Sequence, residues 1–270
     1  MDSITTATKH PLPGESPAGA LRRTWREIKK IPPIGAGWRI LRNEYFRACN
    51  LQKRISYLPQ HREIRRQHWK KLQVGAGGNA LPGWLNTDLR PGEQVLSVDV
   101  TRPLPFPNGE FTYVFTEHMI EHISFEQARR MLLEIHRTLA SGGKLRVSTP
   151  DFDFFLGMFR HGISSEEKRY MEWHIRTYTP NRPVHPLSVM NTMFHRWGHK
   201  YLYNQETLSL LLRDCGFEDI VRCRTGESED PELQNLESHG KLVGESHNRM
   251  ETLVLEATKC VRYANGATRA

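Results

Sequence analysis

Lys71-Leu72-Gln73-Val74-Gly75-Ala76-Gly77-Gly78-Asn79-Ala80 is the stretch on which the fold of this chain turns. Its first four residues read as a short apolar strand. They run directly into a glycine-rich turn, with Gly75, Gly77 and Ala80 at G-x-G-x-x-A spacing. A glycine turn at a strand's carboxyl end lets a ligand approach the backbone without meeting a Cβ atom. The residues after the turn decide which ligand.

Downstream, strands alternate with helices. Trp84–Leu89 reads as a second strand carrying Asp88 at its end, and Gln94–Val98 as a third followed by Asp99. Phe111–Thr116 makes a fourth, then Phe125–Leu139 an amphipathic helix with Met131, Leu132, Ile135 and Leu139 at helical spacing. Ser141-Gly142-Gly143 is expected to stop that helix, and Lys144–Ser148 to form a fifth strand. Residues 152–200 are aromatic and His-rich without a clear period. Asn204–Cys215 then reads as a helix closed by Gly216, and Phe217–Arg224 and Thr252–Thr258 as two late strands. The alternation predicts an α/β fold: a doubly wound, mostly parallel, seven-stranded Rossmann-like sheet.

Upstream of Lys71 the texture differs. Residues 1–20, rich in Pro, Gly, Ser and Thr, read as a disordered tail. Residues 21–70 read as a basic helical arm, with helices at Leu21–Lys30 and Trp38–Leu58, the second ended by Pro59, and a short helical piece at His61–His68. From Leu21 to Lys71 fifteen Lys or Arg face three acids, so a local charge of +12 exceeds the chain's net +8. The remainder, residues 71–270, is expected to be the ligand-binding domain, with insert 152–200 as a substrate lid. The arm's charges could clamp nucleic acid. Trp25, Ile28, Trp38, Ile40, Leu41, Tyr45 and Phe46, interleaved with them, favour docking on the body instead.

Composition removes other classes. With 38% hydrophobic and 25% charged residues in 270, the chain holds enough apolar material for a core. No run approaches the ~18 apolar residues of a membrane span. The first twenty residues lack a secretory signal's apolar segment. Cys49, Cys215, Cys223 and Cys260 share no C-x-x-C spacing, so neither a redox pair nor a cysteine zinc site is expected. A cytoplasmic setting is expected.

The spacing after the glycine turn argues against a dinucleotide. Such a site needs a helix facing the pyrophosphate and an acid ~20 residues further on. Here Pro82-Gly83 breaks the chain, and Asp88 comes thirteen residues after Gly75. A ligand without phosphates, whose ribose still needs an acid, fits better; S-adenosylmethionine is one.

From Leu72 to about Pro150, and again from Tyr203 to Lys259, the sequence resembles the class I S-adenosylmethionine-dependent methyltransferases. Val74-Gly75-Ala76-Gly77 resembles the family's first motif and Asn86-Thr87-Asp88 its ribose-binding acid. Ser97-Val98-Asp99-Val100 resembles the motif whose acid meets the adenine amine. Phe115-Thr116-Glu117-His118-Met119-Ile120-Glu121-His122 resembles the motif at the sulfonium end. The resemblance implies S-adenosylmethionine as cofactor, held by Gly75, Ala76, Gly77, Asn79, Asp88, Leu89, Asp99, Val100, Thr116 and Glu117. Two departures stand out: the linker between the first strands is short, and Thr112 stands where the family often has Asp.

His118-Met119-Ile120-Glu121-His122 also matches H-x-x-E-H, a zinc-protease signature. That reading needs both His on one helix, whereas here the run begins at a strand's end, so no metal is expected. His118, at the sheet's carboxyl edge, is the expected base or acceptor-orienting group, and His122 is expected to point into helix packing. In the insert, His195, Trp197, His199 and Tyr201 are the expected substrate contacts. Glu227, Ser228, Glu237 and His239 read as surface or rim groups. The expected activity is methyl transfer to a small-molecule acceptor (natural-product, sugar or amino-acid-like) by in-line displacement. Ring closure releasing methylthioadenosine, and nucleic-acid methylation through the basic arm, are the alternatives.

Overall fold

The computed structural model describes residue 51, residues 57–160 and residues 162–260. The tail, and all but the end of the basic arm, lie outside the described residues. That end forms helix α1 (Leu58–Arg66), with Pro59 in its first turn; the helices expected before Tyr57, residue 51 apart, lie outside the described residues. Ile64 and Trp69 pack on the body's core, and His61 Nε2 lies 2.9 Å from the Gly92 carbonyl.

Seven strands form one sheet: β1 (Lys71–Val74), β2 (Leu85–Asp88), β3 (Val95–Ser97), β4 (Phe111–Glu117), β5 (Leu139–Pro150), β6 (Phe217–Cys223) and β7 (Thr252–Lys259). Their order is β3-β2-β1-β4-β5-β7-β6. The first five pair in parallel, and β7 runs antiparallel between β5 and β6. The order reverses between β1 and β4, and at such a switch point open α/β sheets bind ligands. This is the expected Rossmann-like α/β architecture. No helix replaces the short linker between β1 and β2.

Helix α2 (Phe125–Thr138) shows how local chemistry sets the elements. Ser124 caps it, and Gln127 returns the bond to the Ser124 amide, a reciprocal cap that satisfies two orphan N–H groups. Its Met131, Leu132 and Ile135 are fully buried against Leu72, Val114 and Leu145 of the sheet. The helix ends at Thr138, before Ser141-Gly142-Gly143, because Leu139 turns extended at once and starts β5. The glycines instead shape a register shift, Phe111 facing Leu139 and Tyr113 facing Lys144.

The aperiodic insert is helical: α3 (Phe152–Gly157), α4 (Ser165–Tyr178) and α5 (Pro186–His195). These helices enclose a second core of Phe155, Tyr170, Ile175, Val189 and Met193. Helix α6 (Gln205–Asp214) comes next, capped by Asn204 and ended at Gly216, whose φ is +91°. Short helices α7 (Gly240–Val243) and α8 (Glu245–Glu251) lead into β7.

Candidate active site

The glycine turn sits at the carboxyl end of β1, against the start of the segment after β4. Gly75 has φ +75°, and a Cβ there would lie 2.5 Å from Met119 Cγ. Gly77 has φ +55°, and a Cβ on it or on Gly78 would meet nothing within 4 Å. The turn is therefore closed on its inner side and open on its outer side. The Gly75 and Ala76 amides both donate to the Thr87 carbonyl at 2.9 Å, and Asn79 N donates to Ala76 O at 2.8 Å.

Two carboxylates stand at the ends of the neighbouring strands. Asp88 accepts from Gly77 N at 3.0 Å through Oδ2 and from Arg90 N at 2.7 Å through Oδ1. A carboxylate has about four acceptor sites, so capacity remains for a diol. Asp99 accepts from the Thr101 amide and hydroxyl through Oδ1, and its Oδ2 lies 3.5 Å from Arg102 Nε. Leu89, 56% exposed, and half-buried Val100 flank these acids. An open glycine turn beside two acids, with no phosphate-facing helix, fits S-adenosylmethionine.

At the end of β4 the chain does something unusual. His118 takes a left-handed backbone, φ +44°, which costs a non-glycine residue of order 1–3 kcal/mol and is often found at functional sites. Its Nδ1 lies 3.3 Å from Glu121 Oε1, its Nε2 3.3 Å from Thr252 Oγ1, and its ring stacks on His239 with centroids 4.0 Å apart. Burial pushes the His118 imidazolium down, but Glu121, with Glu251 and Glu117 beyond it, more than offsets this. Its pKa therefore lies above the ordinary histidine value. This shift has no sequence signal, because Glu251 comes from a distant segment and only the fold turns Glu121 back onto the imidazole.

A cavity of about 330 Å³ opens beside His118. Glu121, His122 and Pro150 line it from the sheet edge, His174, Tyr178, Met193, Trp197 and His199 from the insert, and His239, Leu242, Val243 and Glu251 from the segment before β7. Of the expected substrate contacts, Trp197 and His199 thus reach the cavity. His195 is exposed outside it, and Tyr201 packs instead on Phe125 and Tyr203. His122 lines the cavity and does not point into helix packing, because the residues after β4 form a single 3-10 turn, Ile120–His122, and not an α-helix. That turn also keeps His118 and His122 from sharing a helix face.

Buried charge holds the cavity's far wall. The Glu117 carboxylate accepts from Ser238 N, Ser238 Oγ and His239 N, each at 2.8 Å. Arg146, fully buried, donates to Glu237 at 2.6 Å, to Glu256 at 2.5 Å and to two backbone carbonyls, those of Glu227 and Arg224. Glu237 is thus interior and not a rim group. Glu251 accepts from Tyr170, and its other oxygen lies 3.0 Å from His239 Nε2. Thr116 is fully buried, its hydroxyl without a partner among the described residues. His174, also buried, has both ring nitrogens in that condition, and burial lowers its pKa to about 4, so it is neutral at physiological pH.

Residues 82–147 match the model of the methyltransferase domain family. No curated protein matches the chain. Among solved structures, a possible histamine N-methyltransferase from Thermotoga maritima is 20% identical, with TM-score 0.42 over 80% of this chain and 95% of that one. A methyltransferase from Archaeoglobus fulgidus is 16% identical, with TM-score 0.41 over 77% and 94%. Phosphoethanolamine N-methyltransferase 2 of Haemonchus contortus, in complex with S-adenosyl-L-methionine, is 17% identical, with TM-score 0.39 over 76% of this chain and 53% of that one. Residues 82–147 thus match a methyltransferase domain, within a Rossmann-like sheet whose glycine turn and two acids fit S-adenosylmethionine.

Proposed function

We propose that the chain methylates a small molecule held in the cavity beside His118. The observation that carries this reading is the cavity itself. At about 330 Å³ it falls in the range of roughly 300–1,000 Å³ typical of small-molecule sites. The insert, residues 152–200, acts as its lid.

S-adenosylmethionine supplies an electrophilic methyl on a sulfonium. Gly75, Ala76, Gly77 and Asn79 would hold its methionine part, Asp88 its ribose hydroxyls and Asp99 its adenine amine. Leu89 and Val100 flank the adenine, while Thr116 and Glu117 border the sulfonium end. In-line displacement depends on alignment and exclusion of water, which a lidded cavity provides. An alcohol or ammonium acceptor must also lose a proton. His118 takes it, and Glu121, 3.3 Å away, stabilises the imidazolium. Neutral His174 presents unpartnered ring nitrogens to the acceptor's polar groups, and Trp197 and Leu242 contact its apolar parts.

A cytoplasmic setting belongs to the same reading. Cys215 and Cys223 are free thiols, and no described helix is long and apolar enough to cross a membrane.

Mass spectrometry of the nucleoside product tests the proposal. With a panel of sugars, amino acids and phenols, the expected product is S-adenosylhomocysteine together with a methylated panel member. Release of methylthioadenosine, or turnover only when RNA or DNA is added, would contradict it.

A further inference from the structure

The segment after β4 and the end of the insert are zipped together by their backbones. The Glu121 carbonyl accepts from Lys200 N at 2.7 Å and from Tyr201 N at 3.3 Å. This draws His199 against His122, ring centroids 5.0 Å apart. One ligand atom from each of Glu121, His122 and His199 then lies within 4.8 Å of the others. Glu121 is fully buried. Its Oε2 accepts from Thr149 and its Oε1 lies 3.3 Å from His118 Nδ1, while His199 Nδ1 is buried with no hydrogen-bond partner among the described residues. Buried polar atoms are almost always satisfied, and an orphan calls for an explanation such as an absent ion.

We infer that Glu121, His122 and His199 form a binding site for a divalent first-row transition ion of the zinc class, with an open coordination position toward the cavity. Two imidazoles and one carboxylate are the donor set such ions take, three protein ligands leaving a position for water or substrate. Tetrahedral ligands at ~2.1 Å lie about 3.4 Å apart, so from a spread within 4.8 Å the three side chains need close in by at most about 1.4 Å. One carboxylate against a 2+ ion leaves net positive charge, which suits an anionic oxygen or sulfur on the open position. The ion-binding site stands on its own geometry. Its use to orient the acceptor rests on the proposed function.

Pairing with His118 is the competing explanation of Glu121. It accounts for one carboxylate oxygen at 3.3 Å but not for the convergence of His122 and His199 on the same point.

The test is titration of full-length, chelator-treated protein with Zn²⁺ by calorimetry, and with Co²⁺ by visible absorption. Wild type is expected to take one equivalent, with ligand-field bands from Co²⁺. His199→Ala and Glu121→Gln should each weaken Zn²⁺ by more than about 100-fold, since even second-sphere partners are worth ~10–100-fold. S-adenosylmethionine binding by the same variants reports their folding. Should a variant fail to fold, Zn²⁺ protection of His122 and His199 from diethylpyrocarbonate in the wild type replaces it. No stoichiometric uptake, affinity unchanged in folded His199→Ala, or no protection would each overturn the site. Zn²⁺ binding without methyl transfer to any of the panel would leave the metal site standing and count against the acceptor reading alone.

Discussion

The glycine turn and the His118 cavity occupy one edge of one sheet, yet they are built in opposite ways. The turn and its two acids come from a continuous run, residues 74–99, held by backbone bonds between neighbouring strands. The cavity is assembled from separate segments around residues 118–122, 174–178, 193–199, 239–243 and 251. Its wall is fixed by buried charges: Glu117 on Ser238 and His239, and Arg146 on Glu237 and Glu256. A cofactor shared by many enzymes can be met by a local backbone device. An acceptor peculiar to one enzyme needs side chains gathered from afar.

If buried charge holds the cavity half, breaking it should be severe. Arg146→Ala leaves Glu237 and Glu256 buried without their counter-charge. Removing one partner of a buried ion pair costs about 3–5 kcal/mol, and denaturant unfolding should show a loss of that size. An unchanged midpoint would mean that packing alone holds the wall. Next in size is the chemistry. His118→Ala should lower kcat by ~100- to 10,000-fold, the usual effect of losing a general base. Single-turnover kinetics read it, and near-normal turnover would mean that alignment alone supplies the rate.

The same contrast explains what is legible in the sequence. Val74 to Asp99 can be read residue by residue because strand, turn and acid succeed one another along the chain. The insert cannot, because its helices bury polar groups: Glu167 and His174 lie inside α4, and Ser188 and Thr192 inside α5, which erases the apolar period. The usable signals are local ones, the Ser164–Glu167 capping box and Pro186 in a helix's first turn. His239 and Glu251 leave no sequence trace of a role, since only the β7 antiparallel return and the Glu117 clamp bring them to His118. His122 is misplaced by sequence because an α-helix is expected where a 3-10 turn forms.

On the proposed reading the two halves are separable: cofactor at the turn, chemistry in the cavity. Calorimetry of S-adenosylmethionine binding to wild type, Asp88→Ala and His118→Ala tests it most directly. Wild type should bind, and Asp88→Ala should bind about 10- to 150-fold more weakly, the equivalent of ~1.5–3 kcal/mol for a hydrogen bond to a charged group. His118→Ala should match wild type. Binding unchanged by Asp88→Ala, or lost with His118→Ala, would contradict the claim.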